Sequence, residues 1–201
     1  MTRFYWLFGK ACYSAATLVM ATIMSAGFAH ADGEYWAMDV SENTRGGVLS
    51  VTKGKVTFVS TVTDYGDGVS AGVSLTHRLP FEHGIEGLTL AVGPAIGFGG
   101  GDLSEVEFGV AGSAQRYVPT AWGSYFWQAS VGSTNRSFFL QAQATLSEPK
   151  ITVALSRGGS TLYDETSFSI SRQLGESDVS LRTGYRFQAE DWFLGFSVNT
   201  F

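Results

Sequence analysis

One cysteine occurs in 201 residues, and it is Cys12, inside the first thirty positions. The chain beyond that point carries no thiol, which excludes disulfide staples, thiolate metal sites and cysteine nucleophiles. Charge is also scarce. Asp, Glu, Lys and Arg supply 15% of the residues, well below the quarter usual in soluble domains. Acidic side chains outnumber basic ones by 18 to 13, and the isoelectric point is near 5.1, so there is no basic footprint for nucleic acid. Proline occurs four times. After Ala31 no apolar run reaches the ~20 residues that a helix needs to span a bilayer. Repeats, linkers and low-complexity tracts are absent, and the chain beyond residue 31 reads as one domain.

The first 31 residues read as a cleaved secretory signal. Arg3 and Lys10 make a basic start, Ala11 to Met24 is an apolar run, and Ala29-His30-Ala31 is a small-x-small cleavage pattern followed by Asp32. The apolar run is short for a transmembrane anchor and no charge cluster follows it.

What the chain does have is glycine (25 residues), aromatics (14%) and alternation. Phe138, Leu140, Ala142, Ala144 and Leu146 share one parity, and Phe139, Gln141, Gln143 and Thr145 the other. Period two means a strand with one apolar and one polar face. The pattern predicts ten strands: 46–63, 68–79, 87–99, 105–118, 123–131, 136–147, 150–157, 166–172, 178–188 and 192–201. Eight or twelve also fit, because 32–45, with Tyr35, Trp36, Met38 and Val40, reads equally as a periplasmic segment, a plug or an extra strand. Turn chemistry punctuates the runs at Asp64–Gly68, Gly99–Asp102, Ser147–Pro149, Gly158–Ser160 and Leu174–Glu176. Pro94 interrupts a good strand and predicts a bulge or a seam-adjacent site.

In the last six strands the apolar parity is nearly free of charge, and aromatics gather near strand ends. Tyr125, Trp127, Tyr185 and Trp192 predict an aromatic girdle at two membrane interfaces. The other parity is Ser, Thr, Gln, Gly and Ala. A soluble barrel or sandwich carries its charges outside and excludes water within, so this pattern favours an all-β antiparallel barrel, 46–201, whose apolar face meets lipid.

The chain end, Trp192, Leu194, Phe196, Val198 and Phe201, resembles Gram-negative outer-membrane β-barrel proteins, whose last strand alternates aromatics and closes on Phe. The resemblance implies placement in the cell outer membrane, among outer-membrane lipid and lipopolysaccharide. It also implies that Phe196, Val198 and Phe201 act as a signal to the barrel-assembly machinery. Phe201 departs from the pattern by falling on the opposite parity from Val198, and a bulge at Asn199-Thr200 would restore it.

Three charged residues are expected to face the lumen: Glu107, Arg182 and Arg186. The spacing of four puts both arginines on one strand face. The group fits either packing inside a small barrel or a constriction in a narrow channel. His77 and His83 lie near a strand end, but Ser74 is on the wrong parity from His77 and no acid is singled out for a hydrolase triad. Asp64 and Asp67 are too few for a calcium loop, and no helix follows Gly99-Gly100-Gly101 to make a phosphate site. No cofactor and no catalytic residue are expected. The leading expectation is a small non-enzymatic outer-membrane barrel with a structural or interaction role or a narrow passage for solutes. A gated channel, an outer-membrane lipid hydrolase and a soluble periplasmic barrel are the alternatives.

Overall fold

The computed structural model describes residues 33–80 and 84–201. The stretch read as a secretory signal, with Cys12, and His83 lie outside the described residues. Twelve antiparallel strands close into a barrel in sequence order. They are β1 (Gly33–Val40), β2 (Arg45–Lys53), β3 (Val56–Asp64), β4 (Val69–Arg78), β5 (Leu88–Gly101), β6 (Glu105–Thr120), β7 (Gly123–Gly132), β8 (Phe138–Leu146), β9 (Ile151–Gly159), β10 (Asp164–Gln173), β11 (Val179–Arg186) and β12 (Asp191–Asn199). Closure removes every sheet edge, so each strand finds its backbone partners on both sides.

Two strands separate this barrel from the ten-strand reading. Residues 46–63 are not one strand but the hairpin β2–β3, turning at Gly54 with φ +60°, a left-handed conformation that favours glycine. The ambiguous N-terminal stretch is β1, which pairs with β2 on one side and with β12 on the other. The Gly99–Asp102 turn also shifts, because β5 continues through Gly101.

Pro94 makes no bulge. Ser74 stands opposite Ala95 and His77 opposite Val92, so the register is the same on both sides of the proline, and the pairing merely skips Leu75 and Thr76. On its other side Pro94 pairs with Val110, so the missing N–H faces β4. The chain end has no bulge either. The β1–β12 register runs unbroken from Val40 opposite Leu194 to Tyr35 opposite Asn199. Thr200 then donates its N–H to the Glu34 carbonyl at 3.0 Å, and the Phe201 ring lies against Gly33. Phe201 therefore stays out of phase with Phe196 and Val198.

Side chains sort by parity. Outward positions carry Phe108 at 77% and Leu194 at 71% exposure, together with Val110, Val131, Leu155 and Leu181. Inward positions are mostly Gly, Ala, Ser, Thr and Gln, with larger side chains at Tyr35, Tyr117, Phe126, Phe139, Phe193, Arg182 and Arg186. One row of inward residues in register reads Glu107, Gly97, Gly72, Thr61, Val48, Ala37, Ser197, Ser180. An eight-stranded barrel is just filled by its own side chains. A ring of twelve strands is wider than that.

Candidate functional site: the inner wall and its distal mouth

Gly33, where β1 begins, and Phe201 lie at one end of the barrel, and the opposite end is the distal one. At the distal end all six connections are three to five residues long.

One sector of the inner wall is a network of paired charges. Arg182 on β11 and Asp39 on β1 both align with Gly195 of β12, which lies between them. Glycine leaves the path across β12 clear, and a Cβ there would collide with Asp39 and with the Met38 carbonyl. Arg182 spans the gap with two contacts, Nε to Asp39 Oδ1 at 3.1 Å and Nη2 donating to Oδ2 at 3.2 Å. Its Nη1 also donates to the Tyr35 hydroxyl at 2.6 Å. Two pleats further along β11, Arg186 donates to the Ser41 hydroxyl at 2.6 Å and to the Thr44 carbonyl at 3.2 Å. Its guanidinium lies 4.9 Å from the centre of the Phe193 ring, within cation–π range. Asp191, next to Arg186 in register, accepts the Asn43 N–H at 3.2 Å. Both arginines are thus held by β1 and by the β1–β2 turn.

A second group of residues narrows the distal mouth. The β7–β8 turn contains a single 3-10 turn, Thr134–Arg136, and folds inward onto the part of β5 and β6 that rises above β7. Gly97 and Gly109 make room for it, since a Cβ on either would collide with Thr134 or Ser133. Ser133 exchanges hydrogen bonds with Val110, its hydroxyl accepting at 3.0 Å and its N–H donating at 2.9 Å. Glu107 accepts the Asn135 N–H at 2.6 Å. The Asn135 carbonyl in turn accepts the Thr161 N–H at 2.8 Å, which ties in the β9–β10 connection. From that connection Tyr163 stacks on Tyr65 of the β3–β4 turn, with ring centres 5.4 Å apart and planes 18° apart. Its hydroxyl donates to Thr63 at 3.3 Å. Strands β3 and β9 are six places apart in a ring of twelve, so this stack bridges the mouth across its full width.

A third sector, on β6–β8, is made of amides and aromatics. Gln115, Gln128 and Gln141 stand side by side in register, and Tyr117, Phe126 and Gln143 form the next inward row. Tyr117 is 58% exposed although it points inward.

No family model matches the chain, and no curated protein matches it. Among solved structures, the KdgM porin in complex with disordered oligogalacturonate superposes with TM-score 0.52 at 11% identity, covering 83% of this chain and 98% of that one. The KdgM porin alone gives TM-score 0.51 at 11% identity over the same shares. A variant of Rh. blastica porin aligns at 12% identity and TM-score 0.41, covering 79% of this chain and 56% of that one. The barrel is porin-like.

Inside this porin-like barrel, Arg182, Arg186 and Glu107 all carry inward parity, but Glu107 stands apart from the arginines. Its carboxylate holds the β7–β8 turn on β6, while the arginines sit on β11. The partners Asp39, Tyr35, Asp191 and Ser41 were missed in the sequence because they lie in or beside the segments not assigned to the barrel, or at the far end of a hairpin. The two tyrosines of the mouth bridge were missed too. They sit in turns, where strand parity says nothing, and their contact spans about a hundred residues of sequence. Among the outward aromatics, Tyr125 and Trp127 lie at the β6–β7 end of the barrel. Tyr185 and Trp192 flank the β11–β12 turn at the distal end, 5.3 Å apart. Ser74 and His77 face opposite sides of β4, His77 outward.

Proposed function

We propose that this protein is a passive, non-enzymatic channel of the cell outer membrane for small hydrophilic solutes. The observation that carries the proposal is a twelve-strand circumference around an inner face made mostly of Gly, Ala, Ser, Thr and Gln, which suits a polar passage for water. The outward face supports the membrane setting. An apolar surface of this extent, broken by charge only near strand ends, is stable against lipid and not against water. In this reading that surface meets outer-membrane lipid and lipopolysaccharide, and the strand bearing Phe196 and Val198 and ending near Phe201 addresses the barrel-assembly machinery. Opposite placement of Ser74 and His77 on β4 gives a hydrolase reading no support.

The inward charges also set a preference. Asp39, Glu105, Glu107, Glu165 and Asp191 carry inward parity against Arg78, Arg182 and Arg186. Both arginines of the distal network are already matched to carboxylates or carbonyls. Oligogalacturonate, the acidic chain named with the KdgM porin, would meet net negative charge here. Small cations and neutral solutes are the better match.

Planar-bilayer recording of the refolded barrel under a KCl gradient tests this. The expected result is single-channel conductance with a reversal potential on the cation side. A folded, membrane-inserted barrel that passes no current overturns the proposal.

A further inference from the structure

We propose that the inner wall formed by β6, β7 and β8 is a binding site for a neutral, hydroxyl-rich solute, a sugar or short oligosaccharide in transit. The inference rests on the channel reading above and names the solute class.

Three features point to that chemistry. First, Gln115, Gln128 and Gln141 form one row across three strands, spanning two strand spacings, or about 10 Å. A carboxamide donates and accepts at one end of one side chain, as a sugar hydroxyl does, and it carries no charge to repel or trap the solute. Second, these amides are not consumed by the fold. Among the described residues, the side chains of Gln115 and Gln128 make no hydrogen bond to protein, and the pair Gln141–Gln143 is held only at 3.4 Å. Several polar groups elsewhere on the inner wall are matched within it: Thr145 with Thr152 at 2.9 Å, Ser156 with Ser167 at 2.8 Å and Arg182 with Asp39. Third, Tyr117 and Phe126 lie opposite each other one pleat away from the amides, about 7 Å along the strand. Aromatic faces beside amides suit a sugar ring, whose C–H faces are apolar and whose rim is hydroxyl. Two rows of this size match a footprint of one to two sugar rings. The same wall carries no arginine or lysine pointing inward, so an acidic sugar has no counter-ion there.

Maltohexaose serves as the neutral probe and trigalacturonate as the acidic one. In bilayer recordings maltohexaose is expected to block the ion current in a saturable way, with half-block at roughly millimolar concentration. Trigalacturonate is expected to block far less. The Gln115→Ala, Gln128→Ala double variant and Tyr117→Ala should each raise the half-blocking concentration about tenfold, the effect of losing one or two neutral hydrogen bonds or a stacking face. Ser169→Ala, on β10 and outside this wall, should leave it unchanged. Calorimetric titration of the detergent-folded barrel with maltohexaose separates the two readings. Heat without conductance keeps the site and rejects the channel. Conductance without block or heat rejects the site. Equal block of wild type and the glutamine variants places the sugar elsewhere, and stronger block by trigalacturonate overturns the neutral class.

Discussion

Across the lumen from Arg182 and Asp39, the β6–β8 wall presents two amides, Gln115 and Gln128, that bond to nothing among the described residues, and the difference separates two uses of polar residues. On the β11–β12–β1 sector each inward charged group has a partner within the wall: Arg182 in Asp39 and Tyr35, Arg186 in Ser41, Thr44 and Phe193, Asp191 in Asn43. These strands include the junction of the first and last strands, where the chain must close on itself. Charges matched there fix the register of the closure. On the β6–β8 sector the strands are neighbours in sequence and their register follows from the hairpin turns, so their side chains are free to serve a solute. The wall far apart in sequence is built for assembly, and the contiguous wall for contact.

The sharpest way to break the comparison is at Gly195. A side chain there meets both Asp39 and the Met38 carbonyl, so Gly195→Val should prevent β1 from docking on β12. The expected outcome is loss of the compact, fast-migrating species in unboiled gels after refolding. Retention of that species would show that the ion pair does not depend on the bare backbone beneath it.

Next in size is Asp39→Ala, which leaves Arg182 without its carboxylate. Removing one partner of a fully buried pair costs 3–5 kcal/mol, but both side chains keep some exposure to the lumen, so about 2 kcal/mol is expected here. A lowered urea midpoint of unfolding measures it. The double variant Asp39→Ala, Arg182→Met should recover most of the loss. If the double variant is as weak as the single one, packing and not charge holds this wall.

The mouth bridge lies between the two walls and tests whether they share one passage. Tyr163→Ala removes the stack on Tyr65 and the bond to Thr63. Stability should fall by only about 1 kcal/mol, while conductance should rise, because the bridge crosses the full width of the mouth. Unchanged conductance would place the narrowest point deeper, beside Arg182 or Tyr117.

The sequence showed which face each side chain takes but not where around the ring it sits. Period two is local, so the inward parity of Arg182, Arg186 and Glu107 and the outward parity of Trp192 and Leu194 could be read directly. Angular position depends on strand number and closure. Missing β1 and the Gly54 hairpin therefore hid Asp39 and Tyr35, and it left Glu107 grouped with arginines that lie on a different wall. The Gly54 turn is short, and valines on both sides let the alternation run through it. The glutamine row was visible as inward parity. Its alignment across three strands appears only with the register, which sets Gln115 opposite Gln128 and Gln128 opposite Gln141.

The smallest expected effect is the counterpart of Asp39→Ala on the other wall. Gln115→Ala with Gln128→Ala removes two amides that hold no protein partner, so the urea midpoint should correspond to a change within about 0.5 kcal/mol. The contrast is with Asp39→Ala, where one carboxylate costs several times more. The sign of any change is informative too. Losing two amides that crowd no neighbour relieves no strain, so the barrel should not become more stable. A loss approaching that of Asp39→Ala would mean that the amides are bound into the wall after all, through ordered water, and both walls would then serve assembly.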